Sequence, residues 1–176
     1  MSHQDLPQRI KLPHEVPAWV DQGARHFFTI NCRDRGVDSL VAEGRAARLL
    51  ESVTHYEKIG RWYVWLFLVM PDHLHGIVSF NLARGIQQAV SSWKGYGAKK
   101  YGIHWQSGFF EHRLRSREEY DEKAAYIRMN PVRQGLVKEA GQWPWLIDRA
   151  GLEGRANPPG EPKTGLAGGL ALPGDG

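Results

Sequence analysis

"RWYVWLFLVMPDHLHGIVSF", residues 61–80, decides the fold. From Trp62 to Met70 every residue is apolar, so both alternating faces of this segment ask to be covered, the mark of a strand in the middle of a sheet. Pro71 and Asp72 then supply turn chemistry, and "HLHGIVSF" returns as the antiparallel neighbour. Within that second strand, His73 and His75 stand two residues apart and share a face, with Cα atoms roughly 6.5–7 Å apart. Leu74, Val78 and Phe80 point to the other face. Two imidazoles on one side can converge on a metal ion. They can equally be a pair of histidines in ordinary hydrogen bonds, and the spacing alone does not choose. A third donor is needed.

Outward from the hairpin, "RHFFTINCR" reads as a first strand, and Leu40, Ala46, Leu49, Leu50, Val53 and Tyr56 recur at spacings that stripe a first helix. "NLARGIQQAVSSWKGYGAKKYG" reads as a second helix, weakened by Gly95 and Gly97, and "HWQSGFFEHRLRS" as a fourth strand. "REEYDEKAAYIRMN" is a third helix, expected to stop at Pro131, which biases Asn130 away from helical geometry. The order β α β β α β α predicts an α+β fold, a small antiparallel sheet with helices packed over it. Residues 1–22 mix proline and charge without a period and read as an arm, 23–150 as the folded domain, and 151–176, rich in Gly and Pro, as a disordered tail.

Composition narrows the function classes. The longest apolar run, Trp62 to Met70, falls well short of the roughly 20 residues that span a bilayer. The start has no apolar core of the secretory kind, and the single Cys32 has no internal disulfide partner, so a reducing cytoplasm is expected. The net charge is +4, and residues 1–150 carry +5 of it because the tail is slightly acidic. Clustering says more than the total. Lys94, Lys99 and Lys100 interleave with Trp93, Tyr96 and Tyr101, and Arg113, Arg115 and Arg117 alternate. Cations beside flat aromatic faces suit phosphates and unstacked bases, and the same pattern also serves as a plain solvated surface.

At about 100° per residue, Tyr120, Ala124 and Ile127 form one stripe of the third helix, its expected core face. Tyr126 lies about 120° from Tyr120, and Asn130, four residues on, shares its side. That pair offers a hydroxyl nucleophile beside a carbonyl ligand. A rim tyrosine followed by a helix-terminating asparagine is the other reading, and the pattern leaves both open.

"VMPDHLHGIV", "WQSGFFEHRLRS" and "YIRMNPVRQGLV", in that order and ending "WPW", resemble the single-tyrosine HUH transposases, specifically the REP-associated tyrosine transposase branch. The likeness spans roughly residues 24–146. It implies a ferredoxin-like antiparallel sheet and metal-dependent cleavage and rejoining of single-stranded DNA at REP-type hairpins, by an enzyme working at the nucleoid. By position, His73 and His75 match the HUH ligands, Asn130 the third metal ligand and Tyr126 the nucleophile. Related transposases often carry Gln as third ligand, so Asn130 reaches less far. The implied cofactor is a divalent metal, Mg²⁺ or Mn²⁺: neutral imidazoles and an amide preserve the ion's charge and leave positions open for phosphate and water. A phenol with an ordinary pKa of about 10 needs help to ionise. Candidate phosphate contacts are Lys94, Lys99, Lys100, Arg113 and Arg115. Tyr120 is the rival nucleophile, and His55, His104, His112, Glu111 and Glu119 are weaker candidates for the metal. A hairpin-binding module without catalysis is the alternative class, and monomer and homodimer are both open.

Overall fold

The computed structural model describes residues 24–149 apart from 37–39, 82 and 84, so the expected arm and tail lie outside the described residues. At its centre is the expected hairpin. Strands β2 (Trp62–Val69) and β3 (His73–Phe80) pair antiparallel, and the Met70 amide donates to the His73 carbonyl across the turn at 2.9 Å. β1 (Arg25–Asn31) lies on the other side of β3, β4 (Phe110–Leu114) outside β1, and β5 (Leu146–Asp148) outside β2. The sheet order is β4-β1-β3-β2-β5, antiparallel throughout.

The sheet has two differently used faces. On one, Leu74, Val78 and Phe80 of β3 join Phe28 and Ile30 of β1 under helices α1 (Arg45–Lys58) and α2 (Ile86–Tyr101), which supply Ala46, Leu49, Leu50, Val53, Ala89, Val90 and Trp93. Two of the indoles buried there, those of Trp62 and Trp93, show how their N–H groups are satisfied. Trp62 Nε1 donates to the Val53 carbonyl at 3.1 Å and Trp93 Nε1 to Ser52 Oγ at 2.9 Å. On the other face, α3 (Arg117–Arg133) lays Tyr120, Ala124 and Ile127 over Phe27, Leu68 and Ile77, the stripe its periodicity predicts.

A β-bulge reconciles β2 with both layers. The β2–β3 register shifts between Val64 and Leu66, so one extra residue, Trp65, changes the side-chain parity. Trp62 and Val64 before the bulge, and Phe67 and Val69 after it, therefore all reach the α1–α2 layer. Simple alternation would send one of the two pairs to the opposite face.

Three boundaries differ from expectation. The fourth strand is confined to Phe110–Leu114, and Trp105 makes only an isolated bridge to Cys32. β5 has no counterpart in the sequence reading: at three residues it carries no periodicity, and ion pairs hold it instead. Arg149 Nη1 and Nη2 donate to Glu57 Oε1 and Oε2 at 2.6 and 2.7 Å, and Arg128 grips both Asp148 oxygens at 2.7 and 3.0 Å. Finally, Pro131 does not stop α3, which continues to Arg133 with Asn130 helical. A proline removes one amide and crowds one carbonyl of the preceding turn, a cost that falls here in the last turn. The Leu136 amide still donates to the Pro131 carbonyl at 2.9 Å and the Gln134 amide to Asn130 at 3.1 Å. The extra turn keeps Asn130 below Tyr126 and brings Arg133 onto the same side. Among the described residues no helix is long and apolar enough to cross a membrane.

Candidate active site

β3 starts immediately after the Pro71–Asp72 turn, so its first two inward residues on the α3 face are His73 and His75, each only 4% exposed. Their ring centroids are 4.7 Å apart at 78°. Asp72 Oδ1 accepts from His73 Nδ1 at 2.6 Å, and because a carboxylate only accepts, His73 keeps its lone pair on Nε2. His75 Nδ1 lies 2.8 Å from Thr29 Oγ1, which β1 brings opposite through the Thr29–His75 register. His75 Nε2 is buried and has no hydrogen-bond partner among the described residues. Such an atom costs about 1–3 kcal/mol if nothing meets it, and in the tautomer whose Nδ1–H donates to the Thr29 hydroxyl, Nε2 carries the ring's lone pair and is a ready ligand.

The electrostatics keep both rings neutral. Burial, with the charges of His73 and Arg35, pushes His75 down to about 3. Burial also lowers His73, and the hydrogen bond to Asp72 restores only part of that. Burial raises Asp72, but the His73 hydrogen bond, the Gly36 amide at 2.8 Å and Arg35 Nε at 2.9 Å together outweigh it, and its pKa ends below the ordinary value. An ionised Asp72 thus fixes a neutral His73. That is the state in which an imidazole binds metal.

α3 supplies the facing wall. Ser116 caps it, accepting the Glu119 amide at 3.2 Å, and Tyr120, Ala124 and Ile127 anchor it to the sheet. The helix is thereby rotated so that Lys123, Tyr126, Asn130 and Arg133 line a cleft of ≈ 860 Å³ together with His73 and His75. The Tyr126 ring, 37% exposed, lies 5.3 Å from the His75 ring at 72°, and the Arg133 guanidinium carbon is 5.4 Å from its centroid. Asn130 is buried, 5% exposed, within the same cleft. Tyr120, the rival nucleophile, is core, 2% exposed. The structure therefore gathers His73, His75, Asn130 and Tyr126 in one chain.

It does not gather the five expected phosphate contacts. Lys94 spends its ammonium on the Gln106 and Gly108 carbonyls at 2.8 and 2.5 Å, where burial lowers its pKa. Lys99 and Lys100 end α2, on the opposite side of the sheet from the histidines. Arg113 is exposed on β4 opposite His26, whose ring packs on Phe80 of the α1–α2 layer, and Arg115 is exposed where β4 leads into α3. The cleft's own cations are Arg35, Lys123 and Arg133. Lys123 and Arg133 were findable: steps of three, four and three residues put Lys123, Tyr126, Asn130 and Arg133 on one helical side. Arg35 was not, because only the fold brings the end of β1 to Asp72. Phe27, Phe110 and His112 also line the cleft, brought in by the β1–β4 register. Glu111 pairs instead with His26 at 2.5 Å, and Glu119 with His112 at 3.6 Å. The described residues hold no group of three or more His, Cys, Asp or Glu side chains placed for one ion. The side-chain amides of Asn31, Asn130 and Gln134 line the same cleft, and Asn130 is the one that stands four residues from Tyr126 on α3.

No family model matches the chain. In sequence it is 29% identical over 138 residues to the REP-associated tyrosine transposase of Escherichia coli (strain K12), an alignment covering 74% of this chain and 80% of that relative. In structure it superposes on a REP-associated tyrosine transposase bound to a REP hairpin with a TM-score of 0.59 and 23% identity, over 86% of this chain and 94% of the other. This likeness establishes the fold: a five-stranded antiparallel sheet packed with three helices. In sequence and in fold, the chain is similar to REP-associated tyrosine transposases, the family its motifs resemble.

Proposed function

We propose that the chain is a transposase-type enzyme that binds REP-type DNA hairpins and cuts and rejoins the adjoining single strand through Tyr126. The observation that carries this reading is the Tyr126 ring standing 5.3 Å from His75 in the cleft that also holds His73 and Asn130. The hairpin substrate is supported by the likeness to the REP-associated tyrosine transposase solved with a REP hairpin bound, alongside the sequence similarity to the E. coli REP-associated tyrosine transposase. Arg35, Lys123 and Arg133 on the walls suit a phosphate-bearing ligand.

The residues fit a divalent ion, Mg²⁺ or Mn²⁺. The His75 Nε2 atom is buried without a partner, His73 is oriented by Asp72, and Asn130 offers an amide oxygen. When bound, such an ion would neutralise and orient the scissile phosphate. The chain's own groups do the rest. Tyr126 attacks phosphorus, its oxygen forms the new P–O bond while the bond to the 3′ oxygen breaks, and the phenol proton passes to solvent as the 3′ oxygen takes one up. The 5′-phosphotyrosine keeps the bond energy, so a later 3′-hydroxyl displaces the tyrosine and restores a phosphodiester without ATP. Tyr126 and the histidines face each other within one chain, which supports cleavage inside a single protomer.

The test is incubation of a hairpin oligonucleotide with the protein and Mn²⁺, followed by a denaturing gel. A covalent adduct is expected, and Tyr126→Phe should abolish it. An adduct that survives this substitution moves the nucleophile elsewhere. A hairpin bound with no adduct at all leaves a binding module without catalysis.

A further inference from the structure

We propose that Phe110 is a stacking platform for one unpaired nucleobase beside the scissile phosphate, an inference that rests on the DNA-cleaving reading of the cleft. At 58% exposure Phe110 is the most exposed large apolar side chain among the described residues, and it sits on the edge strand β4. The fold does not need it there. β4 is anchored by Leu114, 7% exposed in the α3-side core, and by the His26–Glu111 contact on the opposite face. Phe110 instead borders the cleft that holds His73, His75 and Tyr126.

An aromatic chain connects it to the chemistry. The Phe110 ring meets Phe27 edge-on at 6.1 Å, and Phe27 in turn stacks on His75 at 5.7 Å and meets Tyr126 edge-on at 6.2 Å. Phe27 is buried, 6% exposed, and gives the Phe110 ring a fixed edge contact, while Phe110 itself stays exposed. Lys123, whose ammonium lies 5.9 Å from the Phe27 ring, and Arg133 bring positive charge to the same cleft. A flat, fixed, open π face beside cations, at a site built for a single strand, is what an unstacked base occupies. Phe110 offers no hydrogen bond, so the position it reads should tolerate any base but require one.

The test uses the Tyr126→Phe chain, which leaves DNA intact, and a REP-type imperfect-palindrome stem-loop DNA carrying single-stranded flanks. 2-Aminopurine is walked along its single-stranded flank on either side of the cleavage site. At one position fluorescence should be quenched on binding, and an abasic residue there should weaken affinity roughly tenfold, while all four bases serve. Phe110→Ala should lose both effects and Phe110→Trp should keep both. A stem-loop without flanks should bind all three chains alike, which reports that they are folded. Quenching and abasic penalty unchanged in Phe110→Ala would overturn the stacking role and leave the cleavage reading intact. If the parent binds no stem-loop DNA, both fall together.

Discussion

Gly76, one residue from His75, carries the most exacting steric demand in the strand that holds both histidines. It lies opposite Phe28 in the β1–β3 register, and a Cβ built on it would meet Phe28 Cε1 and Cζ at 2.5 and 2.6 Å. Real carbons do not approach so closely, so the ring or the strand must move. The ring cannot move freely. Phe28 is 1% exposed, with Phe67 at 5.8 Å and Phe80 at 6.3 Å between centroids. Gly76→Ala is therefore an overpacking substitution worth about 1–3 kcal/mol, a fall in melting midpoint of roughly 4–12 °C for a domain of this size. Phe28→Leu removes the two clashing atoms at its own cost of about 1–2 kcal/mol for the lost ring edge. If the clash is the cause, the double variant is more stable than the sum of the singles by about 1 kcal/mol or more. Chemical denaturation of the four chains measures this, because the shift in midpoint at constant slope reports stability alone. An unchanged midpoint in Gly76→Ala, or strictly additive singles, would refute the reasoning.

Two further predictions concern the histidine end of the same strand. With His75 at about 3 in the folded chain and near 6.5 unfolded, the unfolded chain takes up the proton first, so stability falls as pH drops through that window. His75 alone should remove about 2 kcal/mol between pH 7 and 5, with His73 adding in the same direction. Denaturant midpoints in chelator should show the loss, and His75→Gln should flatten it; an equally steep fall in that variant would assign it elsewhere. Asp72→Asn removes the charge that fixes the His73 ring and pairs with Arg35, and should weaken Mn²⁺ binding about 10–100-fold, measured without DNA by water-proton relaxation. Undiminished Mn²⁺ affinity would show that Asp72 does not orient a ligand.

Much of the fold was legible because its centre follows local rules. An unbroken apolar run, a Pro-Asp turn and alternating side chains are enough to place β2 beside β3 and to set the histidines opposite Leu74, Val78 and Phe80. The Tyr120–Ala124–Ile127 stripe likewise follows from the helical period alone. What escaped depends on partners distant in sequence. β5 is held by Arg149 on Glu57, 92 residues away, so three residues with no pattern of their own become a strand. Lys94 looked like a phosphate contact because its neighbours are aromatic and basic, yet the loop of Gln106 and Gly108 folds back onto its ammonium. Pro131 misled for a subtler reason: its effect on the preceding residue is a bias, and the buried Ile127 and Asn130 outweigh it.

The same division explains why the site sits where it does. The side chains of β3 that face α1 and α2 meet a closed apolar layer, tight enough that position 76 admits no Cβ against Phe28. Those that face α3 meet a single helix whose buried contacts, Tyr120, Ala124 and Ile127, reach only part of the sheet. At the end they leave uncovered, Thr29, His73 and His75 line a cleft that Asp72, Arg35 and the polar side of α3 surround. Ile77, two residues beyond His75 on the same face, is back in the core at 0% exposed. The cleft thus opens only over the strand's first turnward residues. Filling it with apolar residues would cover more surface, but the unpartnered Nε2 of His75 would then be buried at a cost with no ligand to offset it. The rigid face holds the strand in register, and that register is what sets two imidazoles on the wall of a cleft that one tyrosine also lines.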